Sequence, residues 1–349
     1  MRKYHVGIDL HKTVAQVCVL DAAGEIVKER RFLIPDRPAG AAFLAWLGQW
    51  AAEGHLAVEA LGVNRWFVNG CQALGYDILV VHAAQMELRK TGKKTDKRDA
   101  REIARRLRLG DLHRHARTYY PTDKEYGVRQ LLRYRDAQMT RRKQVESRIR
   151  ALLNTHLIRA PHKTLSCKKN LAWLKEVELP TEEETYVLRM MVPDLEAVVA
   201  QLALLDRRIA RLQRVGDVAT LQAQLPQIGV LSASILLYEL GDLRRFTNSK
   251  QVAAYAGLVP HVHQSGEGKA HHGRITKHGN RLLRWTLSQW AVRLMGTHPV
   301  AKAWAERQRS RLTKNKRRTA LARRLLVGVY RMLSRGEVFS LQRCLGVRA

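Results

Sequence analysis

The chain has 349 residues, which is enough for about two domains with buried cores. Its 62 Lys and Arg residues against 31 Asp and Glu give a net charge of +31, which favours a polyanion and points to nucleic acid. No apolar run reaches the roughly 18 residues of a membrane-spanning helix, so an anionic membrane is a weaker alternative. The N-terminal apolar run is broken by Asp9 and predicts no signal peptide. The four cysteines are scattered, which argues against a zinc ribbon or a disulfide framework and fits a reducing cytoplasm.

The first 81 residues predict three strands in a meander, followed by alternating helices and strands. The predicted strands span residues 4–9, 14–20, 26–33, 55–59 and 76–81, and the predicted helices span residues 41–52 and 65–74. Residues 35–40 break the pattern before the first helix. This order is typical of a mixed sheet with helices packed on it, in which ligand and metal sites gather at strand ends. Asp9 and Glu59 both lie at predicted strand ends.

Two further acids, Asp96 and Asp99, open a helical run that continues to residue 109. They are three residues apart, so they share one face of the first turn, where the helix dipole favours negative charge. The cations around them are Lys93, Lys94, Lys97, Arg98 and Arg101. Paired acids in a basic field suit a divalent metal that must meet a phosphate. The alternative is a Thr95 cap followed by ordinary first-turn acids.

Together these residues form a plausible four-carboxylate set: Asp9, Glu59, Asp96 and Asp99. Phosphodiester chemistry uses such a set to hold two Mg²⁺ ions about 4 Å apart, which stabilise the entering and leaving oxygens. Each acid taken alone could instead be structural or solvated.

From about residue 119 onward the pattern is helical. A helix is predicted at residues 137–157, and apolar residues between 195 and 212 step by three and four as an a/d seam. Two antiparallel helices inside a monomer and a coiled coil that joins protomers both explain this seam. Residues 225–240 predict a helix, a tight turn and a second helix, and such a turn can offer backbone N–H groups to a DNA phosphate.

A loop rich in Gly, His, Ser and Lys is predicted at residues 261–279, between helices at 249–256 and 281–295. Ser265 is followed by Gly266, and a hydroxyl presented in this way can attack a scissile phosphate and conserve its bond energy as a phosphoester. The alternative is an ordinary loop serine. The histidines of this loop are irregularly spaced and predict no zinc site.

Basic side chains of the C-terminal region are candidate phosphate contacts. Residues 302–335 contain twelve Lys or Arg and a single acid, Glu306, which fits helices laid along phosphates, whereas a solvated tail is the alternative. The full set of predicted nucleic-acid contacts is Lys93, Lys94, Arg98, Arg274, Lys277, Asn280, Arg281, Arg284, Lys316, Arg317 and Arg318.

Seven short motifs, in this order, resemble the DEDD-type insertion-sequence transposases, also called bridge-RNA-guided or serine-dependent recombinases, and their relatives the pilin-gene invertases. The motifs lie at residues 6–12 (VGIDLHK), 58–59 (VE), 94–100 (KTDKRDA), 225–229 (LPQIG), 253–260 (AAYAGLVP), 264–266 (QSG) and 275–284 (ITKHGNRLLR). Gln227 stands where relatives often carry Gly, and Glu267 where many carry a second Gly.

The resemblance implies an α/β plus α fold in three parts. These are a RuvC-like, ribonuclease-H-type domain at residues 1–115, a helical coiled-coil region at 116–215 and a mainly helical transposase domain at 216–349. It implies that Asp9, Glu59, Asp96 and Asp99 bind Mg²⁺ and that Ser265 is the nucleophile, forming a phosphoserine link to DNA. The implied partners are donor and target DNA, a structured guide (bridge) RNA and further copies of the chain in a dimer or tetramer. The expected location is the bacterial cytoplasm, associated with the nucleoid, without a membrane partner.

The sequence therefore leaves three candidate functions. The first is a site-specific recombinase that moves its own insertion sequence through the four acids and Ser265. The second is a metal-dependent junction nuclease in which the acids alone cut by water. The third is a noncatalytic nucleic-acid-binding protein.

Overall fold

The computed structural model describes residues 2–60, 62, 64–82, 95–112, 118–214, 216–263 and 271–346. The chain forms two compact units, Met1–Tyr120 and Pro121–Ala349. The predicted mixed α/β N-terminal part and helical C-terminal part are confirmed. The division into three parts at residues 115 and 215, the RuvC-like assignment and the coiled coil stay predictions. No helix in the described ranges is both long and apolar enough to cross a membrane.

The N-terminal unit is built on one five-stranded mixed sheet. Its strands are β1 (Tyr4–Leu10), β2 (Val14–Asp21), β3 (Ile26–Leu33), β4 (Gly54–Glu59) and β5 (Ile78–Val81). Their spatial order is β3-β2-β1-β4-β5, with the first three strands antiparallel and with β4 and β5 parallel to β1. Ile8 lies opposite Val58, so Asp9 and Glu59 follow it on the same edge and the same face of the sheet.

Helices cover both faces of this sheet: α1 (Arg37–Ala51) and α2 (Arg65–Ala73) on one face, and α3 (Asp96–Arg108) on the other. The prediction that α1 starts at residue 41 is wrong. The Asp36 carboxylate accepts a hydrogen bond from the Ala39 N–H at 2.9 Å, and a proline in the first turn is compatible with a helix start.

Gly7 allows α3 to lie directly on β1. A Cβ atom at this position would overlap the carbonyl oxygen of Ala100 and the backbone nitrogen of Ala104. Only glycine therefore permits this spacing between strand and helix. The close approach brings the first turn of α3 to the carboxyl end of β1, where Asp9 lies.

The C-terminal unit is mainly helical, with one two-stranded hairpin. Its helices are α4 (Asp123–Thr155), α5 (Lys168–Leu174), α6 (Glu182–Ala210), α7 (Gly216–Gln224), α8 (Val230–Leu240), α9 (Ser249–Tyr255), α10 (Arg281–Thr297), α11 (Pro299–Arg307), α12 (Lys314–Arg335) and α13 (Leu341–Leu345). The hairpin strands are β6 (Pro260–His263) and β7 (His271–Ile275), so the prediction of a loop throughout residues 261–279 is wrong. Helix α4 begins before the predicted residue 137 because Thr122 and Glu125 form a capping box.

The apolar seam of α6 packs inside the chain against α4. Ion pairs join Arg135 to Asp206 at 2.6 Å and His156 to Glu184 at 2.9 Å, so the two helices run antiparallel. The buried seam residues are Leu195, Val198, Leu202 and Ile209. The intramolecular bundle thus accounts for these positions, and a coiled coil between protomers remains a prediction.

The basic C-terminal region is folded rather than a solvated tail. Its longest helix, α12, buries Leu321, Leu325, Leu326 and Val329 in the same core as α8 and α10. Residues 225–240, predicted as a helix, a turn and a helix, form a turn and α8, and the helix before the turn is α7, which already ends at Gln224. In that turn Gln227 adopts a φ of +54°, the left-handed conformation that glycine accepts most easily.

Candidate metal centre

Three side chains of the N-terminal unit converge at the carboxyl end of β1. Asp9, His11 and Asp96 each offer a ligand atom, and these atoms lie within 4.8 Å of one another. The Nε2 atom of His11 lies 3.3 Å from Asp9 Oδ2 and 3.5 Å from Asp96 Oδ1. A strand, the turn after it and a helix more than 80 residues later in the sequence therefore meet at one point.

Local sequence fixes the start of α3. The Thr95 side chain accepts a hydrogen bond from the Arg98 N–H at 3.4 Å, which caps the helix, and Asp96 is its first residue. The cap and the metal site are therefore compatible, although the sequence presented them as alternatives. Asp96 is exposed, whereas only 4% of Asp9 is exposed.

Negative charge is concentrated around Asp9. Burial raises the pKa of the Asp9 carboxyl, the acids Asp96, Asp99 and Glu59 raise it further, and His11 opposes them. The other three predicted acids thus all act electrostatically on Asp9. The chain as a whole has a net charge of +31, yet carboxylates lie next to one another here. A bound divalent cation would reduce the electrostatic repulsion between them.

Ion pairs anchor α3 to the sheet beside this cluster. Arg101 Nη2 donates to Glu29 Oε2 at 2.8 Å, and Lys97 Nζ lies 3.0 Å from the same carboxylate. The hydrogen bond from Arg101 lowers the pKa of Glu29 to about 2. Two of the cations near the paired acids are therefore bound to β3.

The predicted nucleophile and three of the predicted nucleic-acid contacts lie outside the described residues. These are Ser265, Lys93, Lys94 and the side chain of Arg274. Arg98 is exposed on the first turn of α3.

Of the four predicted nucleic-acid contacts near α10, three form hydrogen bonds or ion pairs within the protein. Lys277 is exposed and has a φ of +55°. Asn280 caps α10 by accepting from the Leu283 N–H at 2.9 Å, and its amide donates to Glu239 Oε2 at 2.6 Å. The remaining two also have protein partners, because Arg281 pairs with Asp136 and Arg284 donates to the carbonyl oxygen of Ala256.

The three adjacent cations at the start of α12 point in different directions. Lys316 and Arg318 line a groove beside the hairpin. Arg317 donates to the carbonyl oxygen of Ala305 in α11 at 2.8 Å. Of these three adjacent cations, two therefore line the groove and one contacts α11.

The search for carboxylates in the sequence missed His11. A histidine two residues after a strand-end aspartate is the available signal, but its meaning depends on Asp96, which lies far away in the sequence. Two carboxylates and an imidazole nitrogen are a donor set suited to a divalent metal such as Mg²⁺ or Mn²⁺. The residues present therefore fit a divalent metal, with Asp9 and Asp96 as the central ligands.

A mixed sheet with converging strand-end carboxylates, in a strongly basic chain, defines a class of enzyme that acts on nucleic acid with a divalent metal. Residues 6–158 match a family model of DEDD transposases of the IS110 type, described as transposase. Residues 219–306 match the model described as the transposase IS116/IS110/IS902 family. The chain belongs to this family of insertion-sequence transposases and is a DNA transposase.

Relatives match this chain at low identity, over shares of its length that range from about a third to nearly all. The transposase for insertion sequence element IS1111A of Coxiella burnetii is 23% identical over 96% of this chain and 90% of its own length. A probable family 20 transposase of Pseudomonas aeruginosa is 27% identical over 82% of each chain. The pilin gene-inverting protein of Moraxella bovis is 32% identical over 35% of this chain and 38% of its own length.

Proposed function

We propose that this transposase cuts and rejoins DNA at specific sites through a phosphoserine intermediate, with Asp9, Glu59, Asp96 and Asp99 as ligands of Mg²⁺. The observation that carries the proposal is the concentration of acids around the nearly buried carboxylate of Asp9. When bound, the metal supplies Lewis-acid stabilisation of charge on the phosphate oxygens.

Ser265 is the proposed nucleophile. Its Oγ forms a bond to the scissile phosphorus, the bond from phosphorus to the leaving deoxyribose oxygen breaks, and that oxygen takes up a proton. The serine–phosphate ester conserves the energy of the broken bond, so attack by a new deoxyribose hydroxyl rejoins a strand without an external energy source. This reversibility is what an element needs to leave one DNA site and enter another.

An adduct assay tests the nucleophile. End-labelled DNA that carries the element's junction is incubated with the full chain and Mg²⁺, and protein-linked label is separated on a denaturing gel. We expect Ser265→Ala to abolish the adduct and leave DNA binding unchanged, whereas Ser310→Ala, at an exposed serine of the same unit, keeps it. Strand cleavage that persists in Ser265→Ala would contradict the proposal and support the junction nuclease.

A metal-binding assay tests the acids independently of activity. Electron paramagnetic resonance of added Mn²⁺ counts bound ions, and we expect Asp9→Asn to lower the affinity for Mn²⁺ by at least tenfold. Glu53→Gln removes one exposed acid of the same unit and serves as the control. Equal binding by Asp9→Asn and the wild-type chain would exclude this cluster as the metal site.

We further propose that a structured guide RNA pairs with donor and target DNA and that the active assembly is a dimer or tetramer. The net charge of +31 supports a complex that holds both nucleic acids. Transposition in vitro should then require RNA transcribed from the element's noncoding end. Full activity after ribonuclease treatment and repurification would rule the guide out, and light scattering of the active complex would measure its oligomeric state.

A further inference from the structure

The C-terminal unit contains a basic groove. Its volume is about 1210 Å³, and it runs between α12, the base of the β6–β7 hairpin and residues 337–344. Seven of its lining side chains are cationic, namely Lys277, Lys316, Arg318, Arg323, Arg324, Arg331 and Arg343. Glu337 is the acid among the described residues that line it, and it already lies 3.9 Å from Arg343.

Four of the cations lie along one side of α12, namely Lys316, Arg323, Arg324 and Arg331. Lys316 and Arg331 are 15 positions apart, which corresponds to about 22 Å at a rise of 1.5 Å per residue. That length spans about six nucleotides at the roughly 3.4 Å per nucleotide of one strand of a duplex, and fewer nucleotides of an extended strand with unstacked bases. Within the described ranges neither side chain forms an ion pair or a hydrogen bond, so both are available to a phosphate.

The rest of the groove surface is partly apolar. Ile275, Val327, Val338 and Phe339 line it, and Val338 is 84% exposed. Gly328 of α12 allows residues 339–344 to lie close, because a Cβ there would overlap the Phe339 ring and the sulfur of Cys344. Apolar surface bordered by cations is the surface on which unstacked bases rest while their phosphates meet charge.

We propose that this groove binds a single strand of DNA. The base faces of a duplex are hidden in its stack, so apolar groove residues would gain nothing from it. The hairpin and residues 337–344 stand beside the cationic side of α12, which keeps this helix from entering a major groove. A transposase must hold unpaired DNA while strands are exchanged, and the groove supplies the charge and the apolar surface for that task.

A matched pair of double variants tests the groove. The groove variant carries Lys316→Gln and Arg331→Gln, and the control carries Lys302→Gln and Arg307→Gln on the exposed face of α11, with the same loss of charge. Fluorescence anisotropy measures binding of a labelled twelve-nucleotide DNA strand across a salt series. We expect the groove variant to lose at least fivefold in affinity, and its salt slope to fall by about 1.4, since each phosphate contact contributes about 0.7. The control should change by less than twofold.

Further arms identify the ligand. Binding of RNA of the same sequence and of the corresponding DNA duplex is measured with the same variants. Equal losses of affinity for the single DNA strand in the groove and control variants would overturn the proposal. A groove variant that loses RNA or duplex binding while it keeps the single DNA strand would also overturn it.

A third substitution probes the apolar surface. Val338→Glu places an acid at an exposed position and should weaken single-strand binding at least threefold, whereas Met190→Glu, at an exposed apolar residue of α6, should not. Unchanged binding in Val338→Glu would contradict the groove. The groove variant should bind Mn²⁺ as the wild-type chain does, so failure of the groove and failure of the metal site are distinguishable.

Discussion

Two buried acids, one in each unit, have opposite surroundings. Glu239 is fully buried and accepts hydrogen bonds from Arg133 Nε and Nη2, each at 2.8 Å, and from Asn280. Asp9 is 4% exposed, and His11 is the one basic side chain among the titratable groups that act on it in the described part of the chain. The other three groups are acids.

The difference separates a structural carboxylate from one that fits the proposed metal site. Glu239 has its charge compensated and joins α4, α8 and the start of α10, so it stabilises the fold. Asp9 is held in a position that costs stability while no cation is bound. An acid that the fold buries without compensation is a candidate site residue, whereas a compensated acid is more often part of the framework.

Glu239→Ala should give the largest loss of stability. Removing one partner from a buried pair leaves Arg133 and Asn280 without their acceptor, and we expect a loss of about 3 kcal/mol in the C-terminal unit. Urea unfolding followed by circular dichroism measures it, with the two units treated as separate transitions. Glu239→Gln keeps an acceptor and should lose clearly less. An equal loss in both variants would show that packing, rather than pairing, makes Glu239 structural.

Gly7→Ala should cost the N-terminal unit about 2 kcal/mol, because the added methyl group overlaps backbone atoms of α3. The helix must shift, and Asp96 with it, so the affinity for Mn²⁺ should fall as well. Gly127→Ala in α4 is the control, since a Cβ there meets nothing within 4 Å and a helix gains about 0.5–1 kcal/mol from the change. Wild-type affinity for Mn²⁺ in Gly7→Ala would show that the acids converge without this close contact.

Asp9→Asn should act in the opposite direction from Glu239→Ala. Burial and three neighbouring acids raise the pKa of Asp9, so its ionised form opposes folding at neutral pH, and the neutral amide should stabilise the metal-free chain. Thermal unfolding in the presence of a chelator measures this gain. Added Mg²⁺ should then raise the midpoint of the wild-type chain but not of the variant. Destabilisation of the metal-free variant would place Asp9 with Glu239 as a structural acid.

The positions of β1, β2, β4 and β5 were predictable because these strands are largely buried apolar runs. Strand β3 is charged and largely exposed, and it was predictable because a turn at residues 21–24 separates it from β2. Helix starts were harder to predict. Asp36 with a following proline looked like a break, and the first turns of α4 are polar, so its capping box at Thr122 was overlooked. The hairpin strands are short and rich in histidine, which hides their alternation.

The site was predictable only as a set of residue types. Asp9 and Glu59 were predicted from their positions at strand ends, and Asp96 and Asp99 from their positions at a helix start. The resemblance supported all four. The role of His11 and the requirement for Gly7 are properties of the contact between β1 and α3, which no local pattern contains. Likewise, the different directions of Lys316 and Arg317 depend on where α11 packs.

The smallest expected effect concerns the acid that anchors α3. Because Arg101 lowers the pKa of Glu29 from 4.5 to about 2, the folded state binds this proton less tightly than the unfolded state. Glu29 therefore stabilises the N-terminal unit fully above about pH 4.5, and this contribution is lost as the pH falls towards 2. The thermal midpoint of Glu29→Gln should lie below that of the wild-type chain at pH 6, and the two should converge in acid.

Glu53→Gln, at an exposed ion pair with Lys3, should show little difference at either pH. A constant gap between Glu29→Gln and the wild-type chain from pH 6 to pH 3 would mean that the hydrogen bonds of Glu29, rather than its charge, hold α3 to the sheet.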